Sequence, residues 1–348
     1  MNGRLAWLRP PYCSPEHYLG TTVMSDNASK ITRRDILHGT AAAAGAICLA
    51  GSAAAADTKK KSGKKTAEAL KGNINHSIVQ WCFSEHWDVE RTCQIGKQLG
   101  CKSVELIGPD DWPTLKKYDM ACAIAPSHLF MQGMNNPKYH GPCIELIKQR
   151  IDDCADAGFK TVISFTGYAA ETGEWADGKN PAPEKLPKNP RMISPDEGAK
   201  NCVAGFKKIV GYAEKKKVNI SLEMLNTRVA SHPMKGHPGY QGDHIDYCME
   251  IINAVGSPRL GLLFDIYHVQ IMDGDIITRV KQCKEAINHV HTAGNPGRGE
   301  LDEQQEINYT PCMQSLFDIG YEGYVGHEFI PTRDPLAGLK QAVALCDV

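Results

Sequence analysis

From His76 onward, short apolar runs alternate with longer stretches in which apolar residues recur at helical spacing. The runs are HSIVQWCF (76–83), SVELIG (103–108), MACAIAPS (120–127), TVISFTG (161–167), NISLEML (219–225), LGLLFDIYH (260–268), INHVHTA (287–293) and YVGHEFIP (324–331). Their near-continuous apolar character predicts strands covered on both faces. The clearest helical stretches are GPCIELIKQRIDDCADAGF (141–159) and DHIDYCMEIINAVGS (243–257). Strand runs alternating with such helices predict parallel strands joined by crossovers. Eight repeats over residues 74–348 favour a closed (β/α)8 TIM barrel, a fold of roughly 250 residues. The runner-up is an open doubly wound sheet, which usually shows a glycine-rich phosphate turn after its first strand; no G-x-G-x-x-G follows HSIVQWCF.

The pattern stops at the N-terminus. After Met24, a plausible true start, come paired Arg33 and Arg34, an Ala/Gly-rich apolar stretch, and Ala54-Ala55-Ala56. Residues 1–56 resemble a twin-arginine export signal with a small-residue cleavage site. That resemblance implies the twin-arginine export machinery as a partner and a periplasmic or otherwise exported location. The apolar stretch is too short and too mild to anchor the chain in a membrane. Residues 57–73, DTKKKSGKKTAEALKGN, form a basic polar segment expected to be a solvated linker.

Charge and cysteine content narrow the ligand class. The formal net charge is −1, and it becomes −3 when the five basic and three acidic residues of 1–56 are set aside. Such a surface has no electrostatic footprint for nucleic acid, so a small molecule is the expected partner. The oligomeric state is left open. Of 13 cysteines, Cys13 and Cys48 precede Asp57, and the remainder are scattered without a C-x-x-C pair. They predict no disulfide framework. Twin-arginine substrates are exported already folded, which reconciles reduced thiols with an exported destination.

The candidate chemistry lies at the ends of the last four predicted strands, which carry Glu223, Asp265, His291 and Glu328 in turn. Parallel barrel strands bring such ends onto one rim. Taken singly, each carboxylate reads as a helix cap or ion-pair partner, and the histidine as a hydrogen-bonded core residue. Together they form an oxygen-rich set suited to a divalent metal ion, Mg2+ or Mn2+ first, with Co2+ or Zn2+ possible. Two long connections, 168–193 and 226–241, follow strand ends on the same face and are expected to be walls or lids.

The segment 223–339 resembles the hydroxypyruvate isomerase family, within the xylose-isomerase-like barrel superfamily. The resemblance rests on EMLN (223–226), FDIYHVQIMDGD (264–275), HVHTAGNPGRGELDEQQEINY (289–309) and GYVGHEF (323–329). It implies that Glu223 and Glu328 are both metal ligands and the acid/base pair, and that Asp265 completes the carboxylates. It also implies that His268 and Arg298 face substrate oxygens, with Glu300 of the same P-x-R-G-E motif beside them. His291 stands where the hydroxypyruvate isomerases carry Gln and the related ketose 3-epimerases carry His.

The leading reaction is hydroxypyruvate to tartronate semialdehyde. The alternatives are a ketose 3-epimerase or other sugar isomerase, and a non-catalytic exported sugar-binding barrel. A phosphodiesterase resembling endonuclease IV would need further His and Asp ligands and a basic face. Glu105 and His128 end the second and third predicted strands and are secondary candidates. Trp81, Phe83 and Trp87 are candidate aromatic wall residues, and His232, His237 and Tyr240 lie on the loop after the fifth strand.

Overall fold

The structure, a computed structural model, describes residues 70–348. The expected export signal at 1–56 and all of the polar segment before residue 70 lie outside the described residues. Seven strands form one sheet: β1 (Asn75–Val79), β2 (Ser103–Glu105), β3 (Thr161–Ser164), β4 (Asn219–Glu223), β5 (Leu260–Asp265), β6 (Ile287–Thr292) and β7 (Tyr324–His327). They are ordered β2-β1-β7-β6-β5-β4-β3, with every neighbouring pair parallel.

The third predicted strand closes this sheet without being a regular strand itself. It makes single parallel bridges, Ser103↔Ala121 on one side and Ala125↔Val162 on the other. The Val104 N–H reaches the Ala121 carbonyl at 3.1 Å and the Ile163 N–H reaches that of Ala125 at 3.0 Å. Between these points the Ala123 N–H goes to the Ser103 hydroxyl at 2.8 Å, so a side chain replaces a ladder partner. The outcome is the expected eight-stave (β/α)8 barrel with one irregular stave.

Several apolar runs continue past the strands they contain. β1 ends at Val79 and QWCF turns into the helix Gln80–Phe83; β5 ends at Asp265 and the helix Ile266–Met272 starts at once. A buried strand and a buried first helical turn have the same apolar look, so periodicity cannot separate them.

Side chains alternate across each strand, and the core divides accordingly. Leu262 and Phe264 of β5 join the large cluster shared with the helices, while Leu263 joins Ile124, Ile163, Phe165, Leu225 and Tyr240 in a second cluster. Burying each such Leu or Phe contributes about 1.5–3 kcal/mol. Residues 70–73, expected in the linker, belong to the folded unit. The Lys71 N–H donates to the Asp347 carboxylate at 2.9 Å and Asn73 Nδ2 to the Val348 carbonyl at 2.8 Å.

The two long connections are joined to each other as one collar. Tyr168 and Tyr240 form an antiparallel bridge, and the Ala169 N–H donates to the Gly239 carbonyl at 2.8 Å. Gln241 ties the collar down: its side-chain oxygen accepts from Asn135 Nδ2 at 2.7 Å and its nitrogen donates to the Ile193 carbonyl at 2.9 Å.

Candidate active site

The register of the strands brings the four candidate ligands together. Asp265 stands opposite His291 across β5 and β6, and His291 stands opposite Gly326 across β6 and β7. The Glu328 N–H donates to the Thr292 carbonyl at 2.9 Å, which carries its side chain onto the same rim. Glu223, Asp265, His291 and Glu328 each offer an atom within 4.8 Å of all the others, and all four are buried.

Asp265 explains its place in an apolar run by using both oxygens. Oδ1 caps the helix Ile266–Met272, accepting from the Tyr267 N–H at 2.9 Å and the His268 N–H at 3.3 Å. Oδ2 accepts from Arg298 Nη2 at 2.7 Å and lies 3.9 Å from His291 Nδ1. Burial would raise its pKa, but Arg298, His268 and His291 together hold the carboxyl well below the usual range.

Glu223 is in the opposite condition. Burial, reinforced by the nearby charges of Glu328 and Asp265, pushes its carboxyl up to about 7 against the pull of His291. Glu328 is held from two sides, accepting from Trp81 Nε1 at 2.9 Å and from Arg298 Nη2.

His291 is the hinge of the set. Its Nδ1 is 2.6 Å from a Glu328 oxygen and 3.8 Å from a Glu223 oxygen, yet makes no hydrogen bond of acceptable geometry. Burial opposes charge on this ring, but Glu328, Glu105 and Glu223 outweigh it and raise its pKa well above the ordinary value. A buried nitrogen aimed at three carboxylates without a satisfactory hydrogen bond fits a metal ligand. One imidazole with three carboxylates is a donor set for a divalent cation.

Around this centre the other candidates separate. His268 accepts the Asn226 N–H on Nδ1 at 3.0 Å, and its Nε2 lies 2.9 Å from Arg298 Nη1. Burial and Arg298 keep its pKa well below the ordinary value. The Arg298 guanidinium also lies over the Tyr267 ring, 4.9 Å from its centroid. Glu300 does not join them: its carboxylate accepts from the Thr332 N–H at 2.9 Å and the Thr332 hydroxyl at 2.7 Å. The resemblance joins Glu300 to the substrate-facing pair; here both of its oxygens hold a neighbouring loop.

Of the aromatic trio, Trp81 is 43 % exposed and bonded to Glu328, whereas Phe83 is buried and stacks on Trp87. His237 lies against Phe130, with ring centroids 4.4 Å apart, and 5.7 Å from the His268 ring. Tyr240 is buried and donates its hydroxyl to the Glu223 carbonyl at 2.8 Å, supporting that strand end from beneath. His128 is bonded to Ser164, Leu129 and Gln132 within the fold, and His232 is exposed on its loop. Phe130 packs against His237 and stacks on Tyr168; Phe130 and Tyr168 carry no signal in the sequence, because their proximity depends on how the collar folds.

Residues 93–347 match the family described as Xylose isomerase-like TIM barrel. The chain belongs to that family. Among curated relatives, the putative hydroxypyruvate isomerase of Homo sapiens is 38% identical over 119 residues, 34% of this chain and 41% of the relative. The 2-oxo-tetronate isomerase of Cupriavidus necator is 34% identical over 122 residues, 35% of this chain and 44% of the relative. The hydroxypyruvate isomerase of Escherichia coli K12 is 34% identical over 103 residues, 30% and 40% of the two chains. The chain thus spans less than half the length of these relatives.

Among solved structures of the xylose isomerase-like fold, the E. coli 3-keto-D-glucoside 4-epimerase superposes with a TM-score of 0.60 at 16% identity, covering 79% of this chain and 98% of the other. A D-tagatose 3-epimerase-like protein gives 0.60 at 18% identity, covering 78% and 98%. These likenesses establish the fold.

Proposed function

We propose that this barrel is a divalent-cation-dependent isomerase of small hydroxy-carbonyl compounds, with hydroxypyruvate to tartronate semialdehyde as its leading reaction. The observation that carries the reading is the pairing of two buried glutamates, Glu223 and Glu328, around one imidazole and one aspartate. The names of the matched relatives, hydroxypyruvate isomerase and 2-oxo-tetronate isomerase, support the substrate class. Glu223, Asp265, His291 and Glu328 would hold Mg2+ or Mn2+, whose charge stabilises negative oxygens that develop during the reaction.

The protein's own groups supply the proton transfers. Glu223, with its pKa near neutrality, takes a proton from the carbon bearing the hydroxyl, and the electron pair of that C–H bond forms the carbon–carbon double bond of an enediolate. Glu328, having taken up a proton from solvent, delivers it to the former carbonyl carbon while the hydroxyl proton passes between the two oxygens, and Glu223 releases its proton to solvent before the next turnover. One carbon is oxidised as its neighbour is reduced, with no outside electron acceptor. Arg298, bonded to Asp265 and Glu328, and His268, beside Arg298, would face substrate oxygens, and Trp81 stands at Glu328. General acid–base groups of this kind contribute typically 10²–10⁴-fold in rate.

A ketose 3-epimerase is the second reading, favoured by His291 at the position occupied by His in such enzymes. It uses the same enediolate, reprotonated on the opposite face of the same carbon. Incubating the EDTA-treated protein, with Mn2+ restored, with hydroxypyruvate and separately with a ketose panel decides between them. Turnover of ketoses alone overturns the leading substrate. Glu223→Gln and Glu328→Gln are each expected to reduce turnover at least 100-fold; an enzyme indifferent to both refutes the acid/base roles.

A further inference from the structure

Beneath the cluster just described lies a buried carboxylate with no part in the proposed proton transfers. Glu105 ends β2, separated from β6 in the sheet by β1 and β7, and is fully buried. Its Oε1 lies 2.8 Å from Nε2 of His291 and 2.8 Å from Nε2 of His289. Two histidines two residues apart on one strand face the same way, and here both converge on one oxygen. An ionised carboxylate only accepts hydrogen bonds, so each Nε2 is the protonated nitrogen of its ring.

That contact determines what His291 presents at its other end. With the proton held on Nε2 by Glu105, Nδ1 is the nitrogen turned toward Glu223, Asp265 and Glu328. We propose that Glu105 is a positioning residue for the cation site, fixing the tautomer and orientation of His291 so that Nδ1 serves as the ligand. A carboxylate on the far nitrogen also makes the ring a better electron donor. This rests on the reading of the four-residue cluster as a cation site.

Gly326 supports the same assignment from a third strand. A Cβ placed at 326 would come 2.4 Å from Glu105 Oε1 and 2.8 Å from His291 Cδ2. Even one methyl group at this position would displace both members of the pair, so the residue before His327 leaves room for their contact.

The test uses the full chain, stripped with EDTA and titrated with Mn2+ by calorimetry. Glu105→Gln keeps the size and one acceptor oxygen but removes the charge. We expect its Mn2+ Kd to rise about 10–100-fold, with a smaller Mn2+-induced rise in melting temperature than in the parent. Gly326→Ala, which alters no ligand, is expected to shift both quantities in the same direction. A merely structural Glu105 would lower the melting temperature equally with and without Mn2+ and leave Kd unchanged, and that result overturns the proposal. If Glu105→Gln does not fold, 15N-histidine spectra of the Mg2+-loaded parent decide, with His291 assigned by its loss in His291→Gln. An Nε2-protonated ring supports the assignment and an Nδ1-protonated ring overturns it. A parent that binds neither Mn2+ nor Mg2+ overturns the cation site itself, a failure separate from equal affinities in parent and variant.

Discussion

Asp265 shows how one side chain can serve local structure and chemistry together. Oδ1 accepts the first amides of the helix Ile266–Met272 while Oδ2 takes Arg298 and faces His291. Asp265→Asn retains the capping oxygen and places an amide donor against the Arg298 donor. It also removes one of the charges that offset a cation. We expect the Mn2+-dependent rise in melting temperature to shrink, since ligand binding stabilises the folded state by RT ln(1 + [L]/Kd). Equal rises in parent and variant would remove Asp265 from the cation site and leave it a helix cap alone.

The loops that seat Arg298 form one interlocked element. Gly294 and Gly299 close a bridge, the Ile330 N–H donates to the Arg298 carbonyl at 2.8 Å, and Glu300 clamps Thr332. Glu300→Ala should therefore reduce unfolding free energy by about 0.5–1.5 kcal/mol, the net contribution of a hydrogen bond whose freed Thr332 donors are open to water. Urea unfolding measures this loss; unchanged stability with a raised KM would restore Glu300 as a substrate contact. The clustering of the strand-end residues Glu223, Asp265, His291 and Glu328 was legible in the sequence because each stands near the end of an apolar run where a polar residue is conspicuous. Glu105 and His291 are 186 positions apart, and only closure of the barrel makes them neighbours. The irregular third stave was illegible for a related reason: its bond to the Ser103 hydroxyl leaves no trace in hydrophobic spacing.

Burying several titratable groups in one place links the stability of the barrel to pH. Glu223 has a folded pKa raised to about 7 from its ordinary 4.5, so its ionisation opposes folding progressively as pH rises through that window. His291, raised above its ordinary 6.5, contributes stability that is full below that value and is lost as pH passes its folded pKa. Both make the EDTA-treated protein less stable at high pH, and both protons compete with a cation. The Mn2+-induced rise in melting temperature should accordingly be larger at pH 8 than at pH 5.5; a pH-independent rise would contradict this linkage. The same close packing has another consequence through the thiols. Eleven cysteines are buried and unpaired among the described residues, shielded from oxidants while the chain stays folded. Once it opens in an oxidising medium, those thiols can cross-link in many wrong combinations, and the way back is closed. In such a medium the lifetime of this protein is set by how rarely it unfolds, a matter of barrier height rather than of equilibrium.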